Sequence, residues 1–372
     1  KEHFEAMIII MKTMISLLYL IASITYVLGE WPLSLDMGCS QFVTQVVCSF
    51  QFKNLAMEDF YLLKRNTPLE GLLSPFIAVK FNDDALAYEG RYVYQGPPTK
   101  DDFILIRAGE SIEKIIQVND AFFFSFDGSY SIEYTGNLHY LSKYSFEAGI
   151  SKIRNMELKE ISFSKSISLE LERVSSFSAP NQFREEIEVK EEDIVHVESC
   201  SSAGFIGGTQ GERENTTKAH KELCDGSINA LDRVRRDRLY RKWFGRYSRR
   251  RAYRVKEVYW AIENGLYYYN ATYFIRPFDC QPNWYGYTYY GSDIVYLCDL
   301  FFEDPVYCRR DGGSMEATLI HEWSHAFGYT EDYASGERDV KRLARKYPWK
   351  AVNNGESYEF YYCRAKEYKD IN

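Results

Sequence analysis

The sequence is poor in the residues and charges that several classes of protein depend on. It has only six histidines among 372 residues, and its eight cysteines form no C-x-x-C pair. Because such pairs are the usual core of zinc–thiolate sites, a site of that kind is not expected. An excess of positive charge is also lacking, since the formal net charge is −8. Nucleic acid is therefore not expected as a partner.

What the sequence does contain is enough apolar residues for two cores. Apolar residues make up 45% of the chain, and a length of 372 residues suits two domains of ordinary size. Tyrosine is abundant, with 31 residues. This abundance suits β-rich structure but indicates no activity.

The N-terminal 29 residues have the pattern of a secretory signal peptide. Lys12 gives a short positive region, residues 15–28 are apolar, and Val27 and Gly29 are small enough for cleavage before Glu30. The alternative is a membrane anchor over residues 7–29. The apolar run after Met14 is short, which favours a cleaved signal. We therefore expect a secreted, extracellular protein with no stable membrane insertion after signal cleavage.

Secretion changes how the cysteines are interpreted. An even set of eight in an oxidising compartment predicts disulfide bonds rather than metal ligands. Six of the eight lie after residue 199, which indicates two domains of different character. The pairing stays open at this point. Asn215 and Asn270 begin N-glycosylation sequons, which would be used only in a secreted chain.

Short strands are predicted throughout the first half of the chain. Alternating apolar and polar runs occur at 76–81, 91–96, 103–109 and 130–136, with turn residues between them. This spacing is typical of an antiparallel β-sandwich, which we expect to be Ig-like. We assign residues 30–175 to this domain, a candidate propeptide. The charged segment 176–195 lacks apolar periodicity and is assigned as a linker.

The second half changes to helical periodicity. Residues 227–269 carry many arginines, and Ser227 is a candidate N-cap for a helix from Asn229 onward. The arginines would suit a polyanion-binding patch or a processing site. A solvated helix face is favoured instead, because Trp243 and Phe244 interleave with them as buried positions would. Residues 196–372 are therefore assigned to a mainly α-helical domain.

The segment TLIHEWSHAFG at 318–328 carries the H-E-x-x-H pattern. On a helix, His321 and His325 project from one face and can chelate one Zn²⁺. Glu322 lies beside them and can take a proton from a water that zinc activates. Ser314 or Thr318 can begin this helix, and a glycine at 328 can end it. The simpler alternative is a core helix with two satisfied histidines.

Three schemes compete for the third metal ligand. A histidine six residues after His325 is one possibility, but that position is Glu331, and no methionine follows Met315 to form the turn that this scheme expects. A later glutamate is the second, with Glu356 and Glu359 as candidates. An aspartate directly after the helix is the third. Asp332 suits it, because a glycine at 328 lets the chain reverse.

The segment YTEDYASG at 329–336 resembles the G-T-x-D-x-x-Y-G motif of the aspzincin metallopeptidases. This is the family of deuterolysin and the fungal peptidyl-Lys metalloendopeptidases. Thr330, Asp332 and Gly336 match in place. The resemblance covers most of residues 196–366, through KWFGRY at 242–247, IVYLCDLFF at 294–302, ATLIHEWSH at 317–325 and VNNGESYEFYY at 352–362. The N-terminal part resembles the β-sandwich that precedes some secreted members.

The resemblance implies one zinc ion per chain in a zincin-type metallopeptidase domain. The implied ligands are His321, His325 and Asp332, and Glu322 is the implied general base. The implied activity is that of a zinc metalloendopeptidase acting on proteins or peptides.

The resemblance also implies a substrate preference, and it shows one position at which this sequence departs from the family motif. In peptidyl-Lys members, two carboxylates hold the lysine that follows the cleaved bond, and Glu356 and Glu359 stand at those positions here. The motif tyrosine is replaced by Ser335, and Tyr333 or Tyr329 is a candidate substitute at the substrate. The departure motivates a rival hypothesis, a secreted binding protein with a catalytically impaired peptidase domain.

Overall fold

The computed structural model describes residues 32–148, 158–178, 180, 188–198, 200–309 and 313–367. The predicted signal peptide, residues 1–29, lies outside this range, as does part of the predicted linker. None of the helices in the described ranges combines the length and apolarity needed to cross a bilayer. The described chain is a multidomain α and β protein that is rich in antiparallel sheet.

The first half folds into strands, as its alternating pattern predicts. The strands are β1 (Leu33–Phe42), β2 (Gln45–Asn54), β3 (Phe60–Leu63), β4 (Ile77–Phe81), β5 (Asp84–Ala85), β6 (Tyr92–Gln95), β7 (Phe103–Ile106), β8 (Ser111–Gln117), β9 (Gly128–Tyr134), β10 (Asn137–Ser142), β11 (Lys159–Ser162) and β12 (Lys165–Leu171), with one short helix, α1 (Lys143–Glu147).

Eleven of these strands form three antiparallel sheets. Their orders are β1-β2-β8, β11-β10-β3-β7 and β12-β9-β4-β5. Alternate residues point inward, and Phe50, Phe52, Val79 and Ile132 are fully buried in one shared apolar core. The twelfth strand, β6, leaves this group and pairs elsewhere.

The second half combines one mixed sheet with helices. Its strands are β13 (Ile194–Val195), β14 (Ala203–Ile206), β15 (Ala271–Ile275), β16 (Trp284–Thr288) and β17 (Ile294–Leu297). Its helices are α2 (Gln210–Arg233), α3 (Arg238–Phe244), α4 (Arg249–Tyr268), α5 (Asp299–Glu303), α6 (Met315–Ala326), α7 (Glu337–Lys346), α8 (Pro348–Ala351) and α9 (Gly355–Glu367).

The mixed sheet joins the two halves of the chain. Its order is β13-β14-β15-β17-β16-β6, with β14, β15 and β17 parallel and β16 antiparallel to β17. The outer strand β6 comes from the first half and pairs antiparallel with β16. The sheet therefore places a segment of the N-terminal part directly beside the C-terminal helices.

One helix boundary predicted from the sequence is wrong. Ser227 does not cap a helix, because α2 already begins at Gln210 and runs through that position. The true cap is Thr209, whose side chain forms a capping box with Glu212. The Ser227 hydroxyl donates instead to the Leu223 carbonyl one turn back. The sequence pattern missed this start because residues 210–222 are largely polar.

The arginine-rich segment belongs to a globular core. Trp243 and Phe244 are fully buried, and the Trp243 ring stacks on Phe360 of α9 with centroids 4.6 Å apart. The predicted disulfides are present as Cys39–Cys48, Cys200–Cys224, Cys280–Cys298 and Cys308–Cys363. The Cys308–Cys363 disulfide links the segment that precedes α6 with helix α9. Helices α6 and α9 build the site described next.

Candidate metal centre

Helix α6 carries the H-E-x-x-H segment through the middle of the second core. It begins at Ser314, whose hydroxyl accepts a hydrogen bond from the Ala317 amide at 3.0 Å. Every residue from Met315 to Ala326 is buried. Buried polar side chains need hydrogen-bond or metal partners. The contacts of the two histidines and the glutamate on α6 therefore indicate what these residues are for.

The two histidines meet on one face of α6. The Nε2 atoms of His321 and His325 lie 3.0 Å apart, and both rings are essentially inaccessible to solvent. Two nitrogens bound tetrahedrally to one Zn²⁺ at about 2.0–2.1 Å would be separated by roughly 3.3 Å. The observed separation is close to that value.

The chain reverses sharply after α6. A Cβ at Gly328 would lie 2.6 Å from a methyl carbon of Val258, so only glycine fits there. Tyr329 follows with a φ of 52°, in the left-handed region that favours glycine. This is the position of the glycine in the G-T-x-D motif. The Thr330 amide then donates to the Ser324 carbonyl at 3.1 Å, which closes the turn.

Residues 331–334 form a short strap that brings Asp332 to the histidines. The Glu331 amide donates to the Asn353 carbonyl at 2.7 Å, and the Gly355 amide donates to the Glu331 carbonyl at 2.9 Å. As a result, the Asp332 carboxylate faces both rings. Its Oδ1 lies 3.5 Å from His321 Nε2, and its Oδ2 lies 3.2 Å from His325 Nε2. Of the candidates for the third ligand, Asp332 is the one whose carboxylate the structure brings to both histidines.

Asn354 and Gly355 hold the strap in place, and neither was singled out from the sequence. The buried Asn354 side chain accepts hydrogen bonds from the amides of Tyr333 and Ala334, both at 2.8 Å. A Cβ at Gly355 would lie 2.9 Å from His325 Cε1. In the sequence, these two residues are indicated only by the segment VNNGESYEFYY, which resembles the corresponding segment of the aspzincin family.

Hydrogen bonds orient the histidine rings. His325 Nδ1 lies 2.8 Å from the Thr330 carbonyl, which can only accept, so Nδ1 carries the proton and Nε2 is left for a metal. His321 Nδ1 faces Glu359 Oε2 at 3.6 Å, beyond direct hydrogen-bond range. Burial opposes a charge on His321, but Asp332 and Glu359 raise its pKa well above the usual value.

Asp332 responds in the opposite direction. Burial alone would raise the pKa of the Asp332 carboxyl, but the imidazoles of His325 and His321 hold it well below its usual range. The carboxyl group is therefore anionic at any pH near neutrality.

Glu322 is buried beside this cluster. Neither carboxylate oxygen has a hydrogen-bond partner among the described residues, and the side chain is inaccessible to solvent. Burial raises the pKa of Glu322 to about 8. An unpaired buried carboxylate is costly, which indicates a group kept for chemistry rather than for stability.

Glu356 and Glu359 lie on one face of α9, and both are buried. Glu356 accepts from the Gly336 amide at 2.6 Å and from the Ser335 hydroxyl at 3.1 Å. Burial, followed by the charge of Glu359, raises the pKa of Glu356 to about 8. We call this pair of buried carboxyls, which lies next to His321, the acidic pocket.

The candidate substitutes for the motif tyrosine have contacts of their own. Tyr333 interacts through its hydroxyl with Glu331, and Lys350 lies over its ring at 5.0 Å. Tyr329 is 57% exposed and contacts the ring of Tyr290. Glu331 occupies the position where the first scheme expects a histidine, and its carboxyl is hydrogen-bonded to Tyr333.

Two aromatic residues of β6 cover the site instead. The Tyr94 ring stacks on His321 with centroids 4.0 Å apart, and the Tyr92 ring stacks on His325 at 4.8 Å. The Tyr94 hydroxyl donates to Glu356 at 3.3 Å. No local pattern in the sequence indicates this contact, because the two partners are 262 residues apart.

The donor set suits zinc. Two imidazoles and one carboxylate, with ligand atoms within 4.8 Å of one another, are a typical three-ligand zinc set, in which the imidazoles bind the metal in their neutral form. Four polar atoms without a hydrogen-bond partner in the described part of the chain surround it, namely His321 Nδ1, Glu359 Oε2 and both oxygens of Glu322. A divalent cation would offset this buried negative charge.

A helix that presents two histidines and a buried glutamate, completed by a carboxylate from the next turn, defines a zinc-peptidase type of site. The comparisons with known proteins agree. Residues 230–363 match the aspzincin family model described as lysine-specific metallo-endopeptidase.

Relatives extend the match along the chain. The chain is 25% identical over 297 residues to an extracellular protease of Aeromonas hydrophila, covering 77% of this chain and 79% of that protein. It is 30% identical over 176 residues to the peptidyl-Lys metalloendopeptidase of Pleurotus ostreatus, covering 43% of this chain and 95% of that protein. Among solved structures, it matches a zinc peptidase from Grifola frondosa at 25% identity and a TM-score of 0.38, over 42% of this chain and 97% of that one.

The chain belongs to the aspzincin metallopeptidase family. It is a zinc metalloendopeptidase whose substrates are proteins or peptides.

Proposed function

We propose that the chain is secreted, holds one zinc ion through His321, His325 and Asp332, and cleaves peptide bonds on the N-terminal side of lysine. The observation that supports it most is the convergence of these three donors, within 3.0–3.5 Å of one another, beside the unpartnered Glu322. The Pleurotus relative is a peptidyl-Lys metalloendopeptidase, which gives independent support for the lysine preference.

Glu322 is the proposed general base. Zinc, when bound, supplies a Lewis acid for the peptide carbonyl and lowers the pKa of a water molecule. Glu322 takes the proton of the attacking water and passes it to the departing amino group. Its burial without a hydrogen-bond partner among the described residues supports both roles, because its two oxygens are left available for these proton transfers.

Glu356 and Glu359 are the proposed lysine-recognition groups. Their carboxyls share one buried pocket next to His321, at the edge of the metal centre. A lysine ammonium placed there would receive charge-assisted hydrogen bonds from oxygens that are desolvated in its absence. A neutral side chain would leave the pocket's negative charge uncompensated, and this difference is the basis of selectivity.

The domain assignment stays part of the proposal. Residues 30–175 form an Ig-like sandwich that acts as a propeptide, 176–195 form a linker, and 196–372 form the zincin-type domain. The apolar core shared by the first three sheets supports the sandwich. The position of β6 over both histidines supports the propeptide role, because it closes the site.

Secretion is supported by the extracellular relative and by four disulfides in the described ranges. Of the two sequons, Asn270 is exposed just after α4, whereas Asn215 is partly buried on α2. Glycosylation is therefore expected first at Asn270.

The test uses a released variant, defined as Tyr92→Ala with Tyr94→Ala in the full chain, so that β6 no longer covers the histidines. Zinc-loaded protein is incubated with a protein digest, with and without chelator, and cleavage sites are mapped by mass spectrometry. We expect chelator-sensitive cleavage before lysine, one zinc per chain by elemental analysis, and loss of turnover in Glu322→Gln. Glu113→Gln, an exposed glutamate on β8, is the matched control and should keep turnover.

The same experiment addresses the rival hypothesis. If the released variant binds one zinc per chain but cleaves nothing, the chain is a binding protein with an impaired peptidase domain. Ser335 in place of the motif tyrosine is the feature that favours this outcome.

A further inference from the structure

We propose that β6 lies across the metal centre as a bound substrate would, with Tyr94 in the position of the residue that follows the cleaved bond. This inference rests on the proposed function, because it uses the acidic pocket as the site that recognises that residue. It makes Val93–Tyr94 the peptide bond that faces Glu322 and the metal ligands.

The first support is the main-chain pairing of β6. The register sets Tyr94 opposite Gly286, Val93 opposite Tyr287 and Tyr92 opposite Thr288, and the Gly96 amide donates to the Asn283 carbonyl at 2.8 Å. Strand β16 is paired with β17 on its other side. An edge strand next to a catalytic centre is a ready site for an extended peptide, which adds itself as one more strand. In this structure β6 is that added strand.

The second support is the alternation of the β6 side chains. Tyr92 and Tyr94 face the metal centre and stack on His325 and His321. Val93 points to the opposite side and is buried in a small cluster with Trp284 and other apolar residues. Successive residues of a strand face opposite sides, so only residues 92 and 94 present side chains to the centre.

The third support is the contact made by the tip of Tyr94. Its hydroxyl donates to Glu356 Oε1 at 3.3 Å, the same oxygen that accepts from Ser335. Lysine likewise carries hydrogen donors at the end of a long side chain. Tyr94 is thus a neutral stand-in for lysine.

The flanks of β6 fix its register. The Arg91 guanidinium forms an ion pair with Asp279 at 2.7 Å, donates to the Tyr289 hydroxyl at 3.0 Å and lies over the Tyr287 ring at 5.0 Å. After the strand, Asp102 accepts from Asn283 at 3.1 Å. A strand tied at both ends to the second half cannot slip by two residues without losing these contacts.

The inference predicts that a lysine at position 94 turns the strand into a substrate. Water adds its oxygen to the Val93 carbonyl carbon, the C–N bond to residue 94 breaks, and the nitrogen leaves as a new amino terminus after receiving a proton through Glu322. The test is Tyr94→Lys in the zinc-loaded full chain. We expect cleavage between residues 93 and 94, identified by mass spectrometry of the new N-terminus.

Matched variants separate this register from general instability. Tyr92→Lys places lysine on the same face two residues earlier and should not be cut before residue 92. Tyr94→Lys combined with Glu322→Gln should stay whole. If the Tyr94→Lys chain stays whole, or is cut elsewhere, while the released variant cuts lysine peptides, the register is wrong but the proposed function stands. If the released variant cuts nothing, the proposed function fails, and this inference fails with it.

A second measurement covers the case in which lysine at 94 simply dislodges the strand. A synthetic peptide of residues 90–98 should inhibit the released variant competitively. Replacing Tyr94 by alanine in the peptide should weaken inhibition by about 10-fold or more, since it removes a hydrogen bond to a charged group and a ring stack. Replacing Gln95, whose side chain donates to Glu70 of the N-terminal part, should change little. Equal inhibition by all three peptides would overturn the assignment of Tyr94.

Discussion

The Tyr94 ring lies nearly parallel to the imidazole of His321, with an interplanar angle of 17° and centroids 4.0 Å apart. Tyr94 belongs to the first half of the chain, whereas His321 is on α6 in the second half. The stack, together with that of Tyr92 on His325, leaves both histidines with 1% exposure or less. A peptide can therefore reach the metal centre only after β6 has moved.

The first prediction is that weakening the β6 cover raises activity. Tyr92→Ala with Tyr94→Ala removes two aromatic stacks, each worth about 0.5–1.5 kcal/mol, and one hydrogen bond. We expect the hydrolysis rate of a lysine-containing peptide to rise about 10-fold or more over that of the wild-type chain. Tyr144→Ala, at an 84% exposed site on α1, is the control and should have no effect. An unchanged rate in the double variant would mean that β6 does not limit access.

The second prediction concerns Asn354, which positions Asp332. Asn354→Ala leaves the Tyr333 and Ala334 amides without their acceptor and loosens the strap that carries Asp332. Groups that orient metal ligands typically contribute 10–100-fold to metal affinity, so we expect zinc affinity to fall by about that factor. Competition with a chromophoric chelator measures it. Asn353→Ala, the neighbouring residue bound to Arg254, should retain affinity, and an equal loss in both would point to general unfolding.

The sequence predicted those parts of the site that depend on local spacing. The histidines at 321 and 325 meet because a helix brings residues four apart to one face, and the structure confirms the start at Ser314 and the turn at Gly328. Periodicity and a glycine were enough to predict these features, which lie within one short segment. Asp332 was one of three candidates for the third ligand, and the resemblance to the aspzincin motif favoured it.

The rest of the site depends on contacts between distant segments. Asn354 acts through the backbone of residues 331–334, and Tyr94 reaches Glu356 across 262 residues. No local pattern encodes such pairings, since they are set by which strand occupies the edge of a sheet. The start of α2 was missed for a related reason. Its first turns are polar and are fixed by a capping box rather than by apolar periodicity.

The third prediction separates Glu356 from Glu359. Glu356 contacts Tyr94 and Ser335 in the pocket, whereas Glu359 also faces His321 Nδ1 at 3.6 Å. In the released-variant background, Glu356→Gln should lower kcat/KM for lysine substrates by about 10-fold or more while zinc affinity stays the same. Glu359→Gln should lower both, because carboxylates near a ligand histidine support metal binding.

Cleavage maps and zinc titrations of the two variants test this separation. Glu113→Gln again serves as the control for an exposed glutamate. An unchanged cleavage map in both variants would mean that neither carboxyl selects lysine. A loss of zinc in Glu356→Gln would show that the two roles are not divided as the contacts indicate.

The fourth prediction is a loss of stability in acid that depends on His220. This ring is fully buried on α2, where Nε2 donates to the Ser201 carbonyl at 3.1 Å and Nδ1 accepts from the Tyr273 hydroxyl at 2.7 Å. Burial lowers its pKa to about 4, against about 6.5 in an unfolded chain. Between these values the unfolded state binds more protons, so the free energy of unfolding falls as the pH falls, by up to about 3 kcal/mol.

Urea unfolding with disulfides intact and chelator present, at pH 7.5 and pH 4.5, measures this change without a contribution from metal release. His220→Gln can keep a donor and an acceptor in place but has no titrating ring, so its free energy of unfolding should fall less between the two pH values. His196→Gln, at an exposed histidine, should behave as the wild type does. Only the wild type contains the buried neutral imidazole that takes up a proton on unfolding. If His220→Gln and the wild type lose the same stability in acid, another buried group is therefore responsible.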